Sequence, residues 1–151
     1  MRSICGTTAP HGRIASSTHG CEPRIDLGVA IYADAERVGS RRIGPCAAYG
    51  NGNFIVRGFG PAAFQLNGPR GGSDPAVNKA AAKGAPVEQE IAVTVSADKI
   101  ECAINGKVVG SYPKADVVTA GKLKSTDGLY GIRFAHNTDG IVTGLTMTKN
   151  K

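Results

Sequence analysis

The sequence predicts an all-β protein built from antiparallel strands, and three features of its second half carry this prediction. Within residues 91–95 the Ile and Val positions alternate with Ala and Thr, as in a half-buried strand. Asn105-Gly106 separates two apolar runs and supplies the two positive-φ positions of a type I′ hairpin turn. Two more alternating runs, 129–136 and 141–147, are expected to close a sheet.

The composition favours the same class. The chain has 21 Gly and 8 Pro spread between short apolar runs, which indicates many turns in a β-rich fold. Its 151 residues suffice for one domain with a single core. Residues 1–24 are polar, small and aperiodic, so we expect an irregular N-terminal lead-in followed by one β-sandwich domain over 25–151.

The remaining elements follow from local pattern. The first strand is expected at 27–32, and a short strand near Ala47 within a long loop. Runs at 54–57 and 63–66 flank a Gly/Pro turn and predict a hairpin. Single helical turns are expected at 33–38 and 77–82, because neither segment carries a longer amphipathic stripe. From residue 90 onward, strands are predicted at 91–95, 100–104, 108–112, 129–136 and 141–147.

The net charge of +6 is a weak indication of function, because the basic residues are scattered and only Arg41 and Arg42 are adjacent. A nucleic-acid binder concentrates basic residues and interleaves them with stacking aromatics. We therefore expect a solvated basic surface and no nucleic-acid partner. No apolar run approaches the ~20 residues that span a bilayer, and residues 1–20 lack the apolar region of a signal peptide. No membrane partner is expected.

Four cysteines, Cys5, Cys21, Cys46 and Cys102, permit three pairings if all are oxidised. There is no C-x-x-C motif and no Cys/His spacing typical of zinc. Cys102 is in register with Ile100 and Ile104, and we expect a buried thiol that acts as a small hydrophobic group. Cys5 and Cys21 can close a short loop in an oxidising compartment.

Three segments together resemble a known family. They are Asn53–Gly60 with its Val-Arg-Gly-x-Gly hairpin, Ile104–Val109 with its Asn-Gly turn, and Asp127–Arg133 with His136-Asn137. Over about residues 27–148 the chain resembles the concanavalin A-like lectin/glucanase sandwiches, in particular the laminin-G-like and 3-keto-disaccharide-hydrolase-like domains of secreted bacterial proteins.

The resemblance implies a jelly-roll of two stacked antiparallel sheets, with ligand residues on a concave face and its rim loops. It also implies a secreted or periplasmic protein. Residues 1–24 lack the opening strands that are usual in the family. Because an unpaired strand edge invites pairing with another chain, a homodimer through a sheet edge is expected as well.

Candidate functional residues cluster where the last predicted strands turn. His136 can act as a base, orient a sugar hydroxyl or bind a metal, with Asn137 and Asp139 beside it. The alternative is plain Asn-x-Asp-Gly turn chemistry with His136 satisfied locally. Asp127 and Asp139 can offer oxygen ligands to Ca²⁺, although Asp-Gly also favours a turn.

Arg57 and Arg133 occupy matching positions in two of the family-like strands. A guanidinium on a sheet face offers a planar fork for a carboxylate or a sugar hydroxyl, and the alternative is ordinary surface solvation. Tyr49 is a candidate for stacking on a sugar ring, although the chain has no Trp.

The sequence lacks the motifs of several enzyme classes. Glu88-Gln89-Glu90 places two carboxylates on one side of a strand, but the third acid of the glucanase spacing Glu-x-Asp-x-x-Glu is missing. There is no Gly-x-Ser-x-Gly elbow and no phosphate-binding loop.

The sequence therefore predicts a carbohydrate-binding, lectin-like β-sandwich of an exported bacterial protein. The alternative is a small hydrolase on the same scaffold, acting on a glycan or a small ester or lactone with His136 and bound Ca²⁺. A third hypothesis is an interaction module that dimerises through a sheet edge. Whether the chain is an enzyme stays open at this point.

Overall fold

The computed structural model describes residues 13–16, 27–32, 43–59, 62–127, 129–134 and 140–148. Within these ranges the chain forms twelve strands and one single-turn helix, and every strand pairing is antiparallel, which confirms the all-β class. The elements are β1 (Arg13–Ser16), β2 (Leu27–Tyr32), β3 (Ile43–Ala48), β4 (Asn53–Phe59), β5 (Ala63–Gln65), β6 (Gly72–Ser73), β7 (Val87–Gln89), β8 (Ile91–Val95), β9 (Lys99–Ile104), β10 (Lys107–Pro113), α1 (Lys114–Val117), β11 (Leu129–Phe134) and β12 (Gly140–Thr143).

One layer is a six-stranded sheet in the order β11-β2-β3-β4-β5, with β6 also pairing with β4. The outer edge of β4 is therefore shared by two short strands, and Asn67 fills the gap between them. Its Oδ1 accepts from the Val56 amide at 2.9 Å, and its Nδ2 donates to the Phe54 carbonyl at 3.0 Å. One side chain thus replaces a ladder step that no backbone supplies, and β4 stays paired where β5 ends.

The facing layer consists of two three-stranded sheets, β12-β1-β7 and β10-β9-β8. β7 and β8 are parts of one extended stretch interrupted only at Glu90. Gln89 and Ile91 are buried, whereas Glu88, Glu90 and Ala92 are exposed, so the in-and-out alternation continues across the break. One continuous strand therefore serves first one sheet and then the next.

Apolar side chains from both layers meet in the core, which gives the protein a sandwich-like architecture. Ala48, Phe54 and Val56 of the six-stranded sheet pack with Ile91 and Ile104 of the opposite layer. At the other end, Val87 packs with Ile132 and Val142. The single turn α1 and the loop after it close a third side, where Val117 and Leu123 are buried against Ile100.

A disulfide joins the two layers through the core. It links Cys46 of β3 to Cys102 of β9, with the Cα atoms 6.0 Å apart and both residues 2% exposed. The burial of Cys102 confirms the expectation from sequence, but the prediction of a free thiol is wrong. The alternation in β9 shows which face Cys102 occupies, and it contains no information on the residue across the sandwich. Cys5 and Cys21 lie outside the described residues.

A network of polar groups surrounds Glu90, the residue between β7 and β8. The Asn105 carboxamide accepts from the Glu90 amide at 2.7 Å and donates to the Ala76 carbonyl at 2.6 Å and to the Gln89 Oε1 at 2.8 Å. Gln89, only 3% exposed, also donates to the Asn78 carbonyl at 2.7 Å. We call the network of hydrogen bonds that joins Ala76, Asn78, Gln89 and Asn105 the Asn105 clamp.

The Asn105-Gly106 turn is confirmed, because both residues have positive φ, 49° and 79°. β9 and β10 pair around it as predicted, and so do β4 and β5 around their Gly/Pro turn. The strands at 27–32, near Ala47 and at 91–95 are present too. Alternation and turn chemistry therefore located most strands correctly.

Three expectations differ from the structure. Residues 13–16, inside the segment expected to be irregular, form β1 and pair with β7 and β12. The last two strands, expected to close a sheet, belong to two different sheets: β11 lies next to β2, and β12 lies next to β1. Residues 77–82 form no helix, because the chain there is held by the Asn105 clamp and by a bridge between Asn51 and Lys79. The segment 33–38 lies outside the described residues.

No helix in the described part of the chain is long and apolar enough to cross a membrane.

Removal of the disulfide tests the covalent link between the layers. The bond closes a loop across a sequence separation of 56 residues, and such loops contribute about 2–4 kcal/mol to the free energy of unfolding. We expect the Cys46→Ala/Cys102→Ala double variant to lose an amount in this range in urea titrations. In the native protein, denatured without reductant, Cys102 should resist alkylation; a labelled Cys102 would contradict the assignment.

Substitution of Asn105 tests the clamp. Asn105→Ala removes three side-chain hydrogen bonds and places a Cβ residue at positive φ, so we expect a loss of about 2–4 kcal/mol in the free energy of unfolding. Asn105→Gly keeps the backbone geometry and removes the same bonds, so most of the loss should remain. The matched control is Asn51→Ala, which removes one exposed bond to the Asn53 amide and should cost about 1 kcal/mol or less. Equal losses for Asn51→Ala and Asn105→Ala would refute the clamp.

Candidate binding face

The strand register places three of the predicted ligand-binding residues on one face of the six-stranded sheet. Directly paired residues share a face, and so do residues two apart in one strand. One row of paired positions crosses four strands, running Arg133, Gly28, Ala47, Ile55. Arg57 lies two residues beyond Ile55, and Tyr49 two residues beyond Ala47. Arg57, Arg133 and Tyr49 therefore occupy the same side, which we call the outer face.

The outer face is opposite the core. Phe54 and Val56, the neighbours of Ile55 in β4, are buried in the interior with Ile91 and Ile104. Because side chains alternate along a strand, Ile55 and Arg57 belong to the other side.

The strands of this sheet carry little charge. Its strands contain two charged residues, Arg57 and Arg133, and no acidic residue. Three strand spacings of ~4.8 Å and two residues of ~3.3 Å place their Cα atoms roughly 16 Å apart. The two positions are too distant to share one small anion, and an extended ligand is needed to reach both.

Two polar residues that the sequence reasoning missed belong to the register set of Ile55 and Arg57, one beside Arg57 and one at the start of β4. Gln65 is the cross-strand neighbour of Arg57 in β5, and the Gln65 carboxamide donates to the Gly68 carbonyl. Asn53 pairs with Ser73 of β6 and accepts from the Tyr49 amide at 2.8 Å. Asn53 and Gln65 are half-buried. In the sequence, Asn53 can be recognised because it lies two residues before Ile55. Gln65 can be recognised only from its pairing with Arg57, which requires knowledge of the hairpin register.

The floor between these polar groups is apolar and recessed. Ala47 and Ile55 are 6% and 8% exposed, whereas Arg57 and Tyr49 are intermediate. Direct pairing in the register holds Ala47 next to Ile55. An apolar floor with a polar, partly accessible rim is the arrangement of a surface site that contacts both the faces and the hydroxyls of a ligand.

Of the other predicted site residues, the structure describes Asp127. His136, Asn137 and Asp139 lie outside the described residues, so the catalytic and metal assignments stay predictions. Asp127 is exposed, and its carboxylate accepts from the Ser125 hydroxyl at 2.9 Å, while that hydroxyl accepts from the Asp127 amide at 2.7 Å. Among the described residues, no group of three or more His, Cys, Asp or Glu side chains could hold a metal ion.

A small apolar cavity lies in the core of the described part of the chain. Its volume is about 20 Å³, and it is lined among others by Val56, Arg57, Phe64, Glu101 and Leu123. This volume accommodates about one water molecule and no sugar ring. Burial raises the pKa of the Tyr112 phenol, so its hydroxyl stays protonated at neutral pH.

The charged pairs elsewhere in the described part have local partners. The Lys99 ammonium contacts the Glu101 carboxylate at 2.8 Å, and each group shifts the pKa of the other away from neutrality. Glu88 and Glu90 are exposed on one side of their strand, as predicted, with Gln89 buried between them.

Comparison of the sequence with models of known protein families and with curated proteins finds no match.

Asp74 supplies a pH test of the loop that carries the clamp. Its pKa is below the ordinary value of 3.8, chiefly because its Oδ1 accepts from the Ala76 amide at 2.8 Å and then because the Lys107 ammonium lies at 3.0 Å. A lowered carboxyl pKa contributes stability that is complete above about pH 4 and is lost as the pH falls through the folded-state pKa. We expect Asp74→Asn to be less stable than the native protein at pH 7 and the difference to shrink below pH 3.8.

The control is Asp116→Asn, which makes the same change of net charge at an exposed position of α1. A stability difference for Asp74→Asn that stays constant from pH 7 to pH 2.5, measured by chemical denaturation at about ten pH values, would contradict the assignment of this ion pair.

Proposed function

We propose that this chain is a carbohydrate-binding, lectin-like β-sandwich of the concanavalin A-like, jelly-roll type. The observation that supports the proposal is the charge distribution of the six-stranded sheet. Its two charged residues, Arg57 and Arg133, share the outer face with Tyr49, and no acidic residue stands between them. A sheet face of this kind can accept a flat, extended ligand.

The chemistry of the face matches a sugar chain. A guanidinium fork donates parallel hydrogen bonds to a carboxylate, a sulfate or a pair of hydroxyl oxygens. The carboxamides of Gln65, beside Arg57, and of Asn53, at the start of β4, add groups that both donate and accept. A tyrosine ring supplies the flat apolar surface on which a pyranose can lie. Since the arginine positions are roughly 16 Å apart, the ligand is an oligosaccharide of several units, preferably with acidic groups.

The disulfide supports export of the protein in its native context. Disulfides persist in secreted and periplasmic proteins and are rare in the reducing cytosol. The Cys46–Cys102 bond links the two layers inside the core. We therefore place the proposed binding function outside the cytoplasm.

The alternative function, a Ca²⁺-assisted hydrolase, depends on His136, Asn137 and Asp139, which lie outside the described residues. The described partner in that hypothesis, Asp127, uses its carboxylate for a bond to Ser125. Binding without turnover is thus the proposal that the described residues support best.

Calorimetry with a panel of neutral, uronate-bearing and sulfated oligosaccharides tests the proposal. We expect Arg57→Ala to weaken the best ligand about 10- to 100-fold, because a hydrogen bond to a charged group contributes about 1.5–3 kcal/mol. Arg57→Lys should recover little, since an ammonium does not reproduce the fork. The matched control is Arg70→Ala, an exposed arginine in the turn that follows β5, which should bind as the native protein does.

Two outcomes would reject the proposed function. One is the absence of binding to every member of the panel by a folded protein with the native melting temperature. The other is an equal loss of affinity in Arg57→Ala and Arg70→Ala, because it would indicate a diffuse effect of net charge instead of a site on the outer face. Release of reducing sugar or free acid from the ligand would favour the hydrolase.

A further inference from the structure

The chain contains one chemically reactive dipeptide three times. Asn-Gly occurs at 51–52, 67–68 and 105–106. An asparagine that precedes glycine is prone to spontaneous deamidation, because glycine has no side chain to obstruct attack of its backbone nitrogen on the asparagine carboxamide. The three glycines have φ values of 90°, 84° and 79°, a region that favours glycine. The dipeptide is thus the same at all three places, and only the surroundings differ.

Two of the three carboxamides are held on distant segments of the chain. Asn67 is half-buried, and both ends of its carboxamide bond to the backbone of β4, at Val56 and Phe54. Asn105 is half-buried as well, and its carboxamide makes three hydrogen bonds, to the Glu90 amide and within the Asn105 clamp. Deamidation requires the carboxamide carbon to reach the next backbone nitrogen, so these bonds must open first.

Asn51 differs in exposure and in bonding. It is exposed, and within the described part of the chain its carboxamide makes one hydrogen bond, in which Oδ1 accepts from the Asn53 amide at 3.0 Å. A bond to the amide two residues ahead is an Asx turn, which folds the carboxamide back over its own backbone. The same donor stabilises the negative charge that Oδ1 acquires when the carboxamide carbon is attacked.

The attacking nitrogen belongs to Gly52. Its amide donates to the Tyr49 carbonyl at 3.0 Å, so this one local bond has to open before the reaction. The bond from Asn53 to Oδ1 can stay in place, because it assists the attack. At Asn67 and Asn105, in contrast, two and three bonds hold the carboxamide itself. The barrier set by the fold is therefore lowest at Asn51.

We propose that Asn51 is the deamidation site of the folded protein and that the fold protects Asn67 and Asn105. The Gly52 nitrogen loses its proton and forms a bond to Cγ of Asn51. The bond between Cγ and Nδ2 breaks, and the nitrogen leaves with that proton as ammonia. Water then opens the resulting succinimide at either carbonyl, which gives aspartate or isoaspartate at position 51. The rate rises with pH because the backbone amide must lose its proton.

The product alters the turn between β3 and β4. The net charge falls from +6 to +5, because one neutral carboxamide becomes a carboxylate. Isoaspartate also adds a methylene group to the backbone. It lies between Tyr49 and Asn53, whose amide and carbonyl are joined by a hydrogen bond of 2.8 Å, so this bond is expected to weaken.

Peptide mapping by mass spectrometry, on the full chain aged at mildly alkaline pH, tests the proposal. We expect Asn51 to convert at least about tenfold faster than Asn67 or Asn105, a ratio equivalent to about 1.4 kcal/mol or one to two hydrogen bonds. In the urea-denatured chain the three sites should convert at similar rates. Asn51→Gln keeps a carboxamide but needs a larger ring to react, so it should abolish the fast conversion and leave the other two rates unchanged.

Three results would overturn the proposal. One is conversion of Asn67 or Asn105 as fast as that of Asn51 in protein with the native melting temperature. Another is an Asn51 that stays intact in the folded protein while the denatured chain is converted. The third is a denatured chain in which Asn51 already leads by the same factor, because the sequence and not the fold would then select the site.

Discussion

The architecture depends on the satisfaction of backbone hydrogen bonds at one residue, Glu90, where a single extended chain leaves one sheet and joins another. A change of sheet partner interrupts the ladder of backbone hydrogen bonds, so the backbone amide and carbonyl at that residue need other partners. Asn105 supplies both of them at Glu90. Its backbone amide and side chain serve both the amide and the carbonyl of Glu90, and its Nδ2 reaches the Ala76 and Gln89 oxygens. The hairpin turn and the junction between sheets are thus held by the same residue.

The role of Asn105 in both the turn and the junction explains why the residue at this position is Asn. Its tolerance of positive φ is only part of the reason. Glycine would satisfy the turn geometry equally well, because both central positions of a type I′ turn need positive φ. Only a side chain with one acceptor and two donors can also complete the contacts to 76, 89 and 90. Asp would offer acceptors alone and would face the Ala76 carbonyl and the Gln89 Oε1 with like partial charge.

Local sequence pattern predicted the strands well because alternation and turn chemistry are local properties. It predicted the turn at 105 and the hairpin of β4 and β5, and it placed Cys102 in the core. It could not predict partners far apart in sequence. Cys102 meets Cys46 across 56 residues, and β11 and β12 belong to different sheets although they are close in sequence. Residues 13–16 carry no strand signal of their own, and their pairing with β7 and β12 comes from tertiary context.

For the candidate site, too, the sequence predicted local features but not the long-range arrangement. Arg57 and Arg133 were singled out from residue type and motif, but their common face follows only from a register that crosses four strands. Asn53 and Gln65 have no distinctive motif. Gln65 becomes a candidate because the hairpin register puts it beside Arg57, and Asn53 because alternation along β4 puts it in the same set as Ile55 and Arg57. The side chains on one face of a sheet come from every second residue of several strands. For this reason a binding face on a β-sandwich is distributed over the whole sequence, and its specificity is fixed by register as much as by residue identity.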